Sequence, residues 1–179
     1  MDIRDPITGG HSDRVAKLSL DILRRLDLPE ETVDDIYLGA LIHDIGKIGI
    51  PDAVLNKPGK LDYDEMYTIR KHPELGREIM GTVPLSETAL RTLYEHHERY
   101  DGSGYPRQLR GEEISLGGRI LAVADVFDAL NSDRPYRKGL DIEQVCSFLW
   151  KRSGTEFDPQ VVDIALSLKA PGNWRPPDE

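Results

Sequence analysis

The sequence predicts an all-α helical bundle folded as a single domain. Three observations carry that expectation. Apolar residues recur at helical spacing along nearly the whole chain, and no segment keeps the strict alternation of a half-buried strand. A length of 179 residues suits one domain with a substantial core. Hydrophobic residues at 39% and charged residues at 31% are ordinary for a globular protein.

The first helix is expected from about His11 to Leu26, where Val15, Leu18, Ile22 and Leu26 form one stripe. His11 lies on that stripe, one turn before Val15, so its ring is expected to point inward. Leu28-Pro29-Glu30-Glu31 closes this helix and opens a second, whose first-turn acids suit the positive end of the helix dipole. The second is expected to pass through Val33, Ile36 and Ala40 to His43. Gly46 and Gly49 break the pattern, Ile50-Pro51-Asp52 begins a short helical turn, and Asn56-Lys57-Pro58-Gly59-Lys60 reads as a loop.

Asp62 starts a third helix that stops at His72-Pro73, and a fourth follows from Glu74 to Met80. The fifth is expected over about Ser86 to Glu98, with Leu90, Leu93 and His97 on one side and His96 one position round. A long polar loop from Arg99 to Glu113 holds Gly102, Gly104, Gly111 and Pro106, and shaped loops of this length are often functional. Ser115 is placed to cap the sixth and most apolar helix, which continues to Leu130. Two amphipathic helices, about Ile142 to Lys151 and Pro159 to Leu168, complete the bundle, the second opened by Asp158-Pro159.

A formal net charge of -9 offers no basic face for broad contact with a nucleic-acid backbone, so neither DNA nor RNA is an expected partner. A small phosphorylated ligand stays open, because a few cations can reverse the field inside a cleft. No run of about 18 apolar residues is present, so membrane insertion is not expected. Met1-Asp2-Ile3-Arg4-Asp5 lacks the basic-then-apolar pattern of a secretory signal. Cys146 is the only cysteine, which excludes an internal disulfide and fits a cytoplasmic location.

Three places break the ordinary pattern. His43-Asp44-Ile45-Gly46-Lys47 sets an imidazole, a carboxylate and an ammonium at the end of the apolar run Tyr37 to Ile42. Asp125 lies mid-helix between Ile120 and Phe127, where a carboxylate needs a partner; an Arg, a backbone amide or a metal would each serve. His96-His97 places two rings about 100° apart on a helix, so both reach one site only beside their shared edge. A surface or capping role is the alternative for that pair.

Taken together, His11, His43, His72, His96 and His97 are all the histidines in the chain. With Asp44 and Asp125 they exceed the ligand need of one catalytic ion. Two ions sharing a bridging carboxylate would use the whole set, an arrangement suited to hydrolysis of phosphate esters. Imidazole and carboxylate without thiolate suit iron or manganese, and such sites also accept zinc, cobalt or nickel.

These residues sit in an ordered series of motifs. It runs His11-Ser12-Asp13-Arg14-Val15, His43-Asp44-Ile45-Gly46-Lys47-Ile48-Gly49-Ile50-Pro51, Leu55-Asn56-Lys57-Pro58-Gly59-Lys60-Leu61, Lys71-His72-Pro73 and His96-His97-Glu98-Arg99. It continues with Asp101-Gly102-Ser103-Gly104-Tyr105-Pro106, Ala124-Asp125, Ser132-Asp133-Arg134-Pro135-Tyr136-Arg137 and Gly154-Thr155-Glu156-Phe157-Asp158-Pro159. The series resembles the HD-GYP family, the metal-dependent phosphohydrolases that degrade the bacterial second messenger cyclic di-GMP.

The resemblance implies a lead-in over residues 1–10, a catalytic domain over 11–168 and a tail over 169–179. It implies one metal ion on His11, His43, Asp44 and Asp125, and a second on His72, His96 and His97, with Asp44 bridging. It implies catalytic roles for Asp44 and Lys47, with Lys47 facing the substrate phosphate. Tyr105 would contact substrate at the rim, and Arg134 and Arg137 would bind phosphate or guanine. Products would be pGpG and then GMP.

Family members with a third metal carry a Glu one helical turn before the first histidine. Ile7 stands there and offers no ligand, so two ions are expected. Relatives usually have an upstream receiver or sensor domain, so the chain is expected to be a catalytic fragment or a stand-alone form. Two alternatives share the resemblance. One is a phosphodiesterase for another cyclic dinucleotide such as cyclic GMP-AMP; the other is a non-catalytic sensor or scaffold that docks GGDEF-domain proteins.

Overall fold

The computed structural model describes residues 10–133 and 138–176. Among them the α-helices are α1 (His11–Leu23), α2 (Glu30–Leu41), α3 (Asp52–Leu55), α4 (Tyr63–Ile69), α5 (His72–Met80), α6 (Glu87–Glu95), α7 (Leu116–Asn131), α8 (Ile142–Trp150) and α9 (Pro159–Lys169). Short 3-10 turns lie at Ile45–Gly49 and Gly111–Glu113. The only extended pairings among the described residues are isolated bridges, Asp101 with Arg110 and Ser153 with Phe157. The all-α expectation holds.

The longest described helix is the central one. α7 buries Ile120, Leu121, Val123 and Ala124 on successive faces, because α1, α2, α6, α8 and α9 all pack against it. Each fully buried Ile or Leu contributes about 1.5–3 kcal/mol through removal of apolar surface from water. α1 adds Val15, Leu18 and Ile22 to that core, and α8 and α9 add Val145, Leu149, Val161 and Val162. α5 packs on α6 and on the 3-10 turn Ile45–Gly49, while α3 and α4 pair with each other at the periphery. No described helix is long and apolar enough to cross a membrane.

Helix starts fall where the caps predict. Asp62 accepts from the Glu65 amide and Glu65 answers to the Asp62 amide, a reciprocal capping box that opens α4. Ser115 accepts from Gly118 at the start of α7, and Asp158 accepts from Gln160 and Val161 at the start of α9.

Helix ends differ from the sequence expectation. α1 stops at Leu23 rather than Leu26. α2 stops at Leu41 and α6 at Glu95, so His43, His96 and His97 lie in turns beyond the helices rather than on their last turn. α5 begins at His72 rather than Glu74. At the ends of α2 and α6 a side chain meets the freed backbone: His43 Nδ1 bonds the Ala40 carbonyl and His96 Nδ1 bonds the Leu93 carbonyl. A side-chain donor thereby takes a carbonyl that the helix leaves unpaired at its end.

Candidate metal centre

Three histidines share one device. His43, His72 and His96 each direct Nδ1 at the carbonyl three residues back, on Ala40, Ile69 and Leu93, at 2.7, 2.8 and 2.6 Å. A carbonyl only accepts, so Nδ1 carries the hydrogen in each ring and Nε2 is left with a lone pair. All three rings are buried. His43 Nε2 has no hydrogen-bond partner, and His72 Nε2 lies 3.3 Å from His96 Nε2. Two lone pairs that face each other at this distance repel unless a cation or proton lies between them. The residues therefore fit a metal ion.

The donors fall into two sets, each with ligand atoms within 4.8 Å of one another. One is His11, His43 and Asp125; the other is His72, His96 and His97. Asp44 joins them: its Oδ2 lies 3.4 Å from His43 Nε2 and its Oδ1 lies 3.5 Å from His72 Nε2. Lys47 Nζ donates to Asp44 Oδ2 at 2.7 Å. What brings these strands of the site together is a close backbone approach. A Cβ on Gly46 would stand 1.8 Å from the His72 carbonyl oxygen, so only glycine lets the 3-10 turn lie against the start of α5.

The electrostatics suit cation binding. Burial is the main cause that lowers His72, His96 and His97, and the crowding of several imidazoles, which disfavours a charge on any one of them, adds to it; His97 falls to about 3. These rings are neutral at physiological pH, the form that ligates metal. Burial opposes ionisation of Asp44, yet its neighbours, His43 and Lys47 foremost, outweigh it and hold the carboxyl well below the usual range. Asp125 is likewise held down, against burial, by its bond to His11 first and then by His43. His11 behaves oppositely. Burial pulls it down, but Asp125 and Asp128 outweigh burial and raise it to about 9, so a metal would displace a proton there.

Asp125 Oδ1 lies 3.2 Å from His11 Nε2, an imidazole partner rather than the Arg or backbone amide considered from sequence. His96 is buried and His97 half-buried, so neither is a surface residue. Tyr105 stacks on His97, with ring centroids 4.8 Å apart and planes 25° from parallel. Thus His11, His43, Asp44, Lys47, His72, His96, His97, Tyr105 and Asp125 come together. Arg134, Arg137 and Ile7 lie outside the described residues.

Two supporting acids carried no role in the sequence reading. Asp128 accepts from His11 Nδ1 at 2.7 Å and from Arg14 Nε and Nη2 at 2.7 and 3.0 Å. Its signal was available, since Asp128 stands three residues after Asp125 and Arg14 three after His11, which puts each pair on one helix face. Glu98, almost fully buried, accepts from the amides of Arg107 and Leu109 at 2.6 and 3.0 Å and so anchors the Gly-Tyr-Pro loop. Burial raises the Glu98 carboxyl even though these amides oppose the shift.

A helical bundle that gathers imidazole and carboxylate donors into two groups, with no thiolate among them, is a scaffold that could hold metal ions. The chain belongs to the HD domain family, whose model matches residues 1–161. It is 44% identical over 173 residues to the cyclic di-GMP phosphodiesterase response regulator RpfG of Xanthomonas campestris pv. campestris, covering 95% of this chain and 46% of that protein. It is 40% identical over 168 residues to 3'3'-cGAMP-specific phosphodiesterase 2 of Vibrio cholerae, covering 93% and 32% respectively. The chain thus spans less than half the length of either relative. A crystal structure of a cyclic GMP-AMP-specific phosphodiesterase of V. cholerae superposes with a TM-score of 0.71 at 22% identity, covering 92% of this chain and 44% of that one, and shares the fold.

Proposed function

We propose that the chain is a metal-dependent phosphodiesterase that hydrolyses cyclic di-GMP to pGpG and GMP. The observation that carries this reading is the Asp44 carboxylate lying between two three-residue donor sets, within 3.5 Å of a histidine of each. His11, His43 and Asp125 would hold one ion, His72, His96 and His97 the other, and Asp44 would serve both. When bound, a pair of divalent ions, iron or manganese by the donor chemistry, supplies an activated water and neutralises developing charge on phosphate.

The chain's own residues do the rest. Asp44 is kept ionised by its neighbours, and its bond to Lys47 holds that ammonium at the edge of the site. There Lys47 offsets charge on a phosphate oxygen. The neutral rings of His72, His96 and His97 leave their lone pairs free for metal. Tyr105 forms part of the rim, and Arg134 and Arg137 supply guanidinium groups for phosphate or guanine.

The similarity to proteins named for cyclic di-GMP and for 3'3'-cGAMP makes the second dinucleotide the natural competitor. The test is product analysis on anaerobically iron- or manganese-loaded protein given each dinucleotide separately. Release of pGpG or GMP from cyclic di-GMP is expected, faster than any cleavage of 3'3'-cGAMP. Tight binding of cyclic di-GMP with no product would replace the enzyme reading by a sensor.

A further inference from the structure

The histidines of the candidate centre are oriented in two ways. Nδ1 of His43, His72 and His96 is tied to a backbone carbonyl, and Nδ1 of His11 to the Asp128 carboxylate. Such partners fix the ring and are worth nearly as much to a metal site as the ligands. His97 shows a different contact: a near-parallel stack against Tyr105. Its other ring neighbours are His96 at 4.0 Å and His72 at 4.9 Å, both members of its own donor set.

The Gly-Tyr-Pro loop is fastened so that this stack is enforced. The Tyr105 amide donates to the His97 carbonyl at 3.1 Å. A Cβ on Gly104 would stand 2.3 Å from the Arg99 nitrogen and 2.5 Å from the Glu98 Cα, so the loop backbone touches the segment that follows His97. Glu98 then binds the amides of Arg107 and Leu109 on the far side of Tyr105. Arg70, two residues before His72, lies over the Tyr105 ring with its Cζ 5.2 Å from the centroid.

We infer that Tyr105 is the positioning residue of His97: its ring face sets the plane of the imidazole and so completes the His72, His96 and His97 donor set. Stacking constrains the ring plane and leaves open which nitrogen points inward. This set is therefore the weaker of the two. Two residues of the loop motif gain separate physical reasons, since Gly104 permits the approach and Tyr105 supplies the face. The role rests on the two-ion reading above and is distinct from any contact of Tyr105 with substrate.

The test counts metal. Wild type, Tyr105→Phe and Tyr105→Leu are dialysed to equilibrium against manganese, desalted, and assayed for metal per chain, with far-UV circular dichroism of the metal-free forms as the fold control. Tyr105→Phe keeps the face and is expected to hold about two ions like wild type, whereas Tyr105→Leu is expected to hold about one, through an affinity loss of about tenfold or more at one site. Should Tyr105→Leu not fold, Tyr105→Trp and Tyr105→Met repeat the contrast between a flat face and bulk alone. Two results overturn the inference. In one, Tyr105→Leu retains the wild-type count while only its KM for cyclic di-GMP rises; in the other, Tyr105→Phe loses metal as fully as Tyr105→Leu. A wild type that binds fewer than two ions overturns the dimetal reading itself.

Discussion

The two donor sets face the same carboxylate but stand on different supports. His11 and Asp125 rise from α1 and α7, the helices that share the core, and are braced by a long-range network in which Asp128 bonds both His11 and Arg14, while His43 of the same set is tied to the Ala40 carbonyl. His72, His96 and His97 come from the start of α5 and the turn after α6, where the braces are local carbonyls and one aromatic face. The first set includes a carboxylate and a proton to displace; the second is all imidazole and already neutral. The same ligand duty can thus be met by ion pairing across the fold or by finishing a helix.

Asp44→Ala strikes both sets and has the largest expected effect. Metal content and turnover should both fall to near zero while far-UV helicity stays, because Asp44 is the donor common to both sets and its loss removes one ligand and one negative charge from each. A variant that still held one full equivalent would show that the carboxylate serves one set alone.

Asp128→Asn separates the sets. It removes the charged partner of His11 but keeps the volume, so metal affinity of the first set should weaken by about 10–100-fold and that of the second should not change. Competition against a chromophoric chelator resolves the two affinities. Equal weakening of both would mean that the sets are not independently supported.

Ser86→Ala probes the fold alone. Ser86 accepts from the Ala89 amide at the start of α6, at the opposite end of the helix from His96. Its loss should cost about 1 kcal/mol in a thermal or denaturant melt, with metal per chain unchanged. A drop in metal content would show that the second set depends on the whole of α6 rather than on its last turn.

How much was legible from sequence follows the same division. The helices, the caps at Asp62, Ser115 and Asp158, and the inward face of His11 follow from periodicity and side-chain chemistry. The ends of α2 and α6 did not follow, because apolar spacing continues through His43 and His97 while the backbone does not. At those ends a ring nitrogen meets a carbonyl, and spacing carries no record of it. For Asp128 the helix face was readable from its spacing to Asp125, but its partners were not. An acid near the end of a helix reads as solvated until α1 brings His11 and Arg14 to it from 117 and 114 residues away in sequence. Glu98 was hidden by the loop that folds back onto it.

The carbonyl-bound histidines have a consequence for redesign. Each of His43, His72 and His96 performs two jobs with two atoms of one ring: Nδ1 finishes a helix and Nε2 faces the site. Cysteine or aspartate could replace the second job in an attempt to change metal preference, but neither has an N–H to offer the carbonyl. Any such exchange would alter the length of a helix along with the chemistry of an ion. Imidazole at these positions is therefore chosen by the backbone as much as by the metal, and retuning the centre is better attempted at Asp125 or His11, whose ring or carboxylate does not terminate a helix.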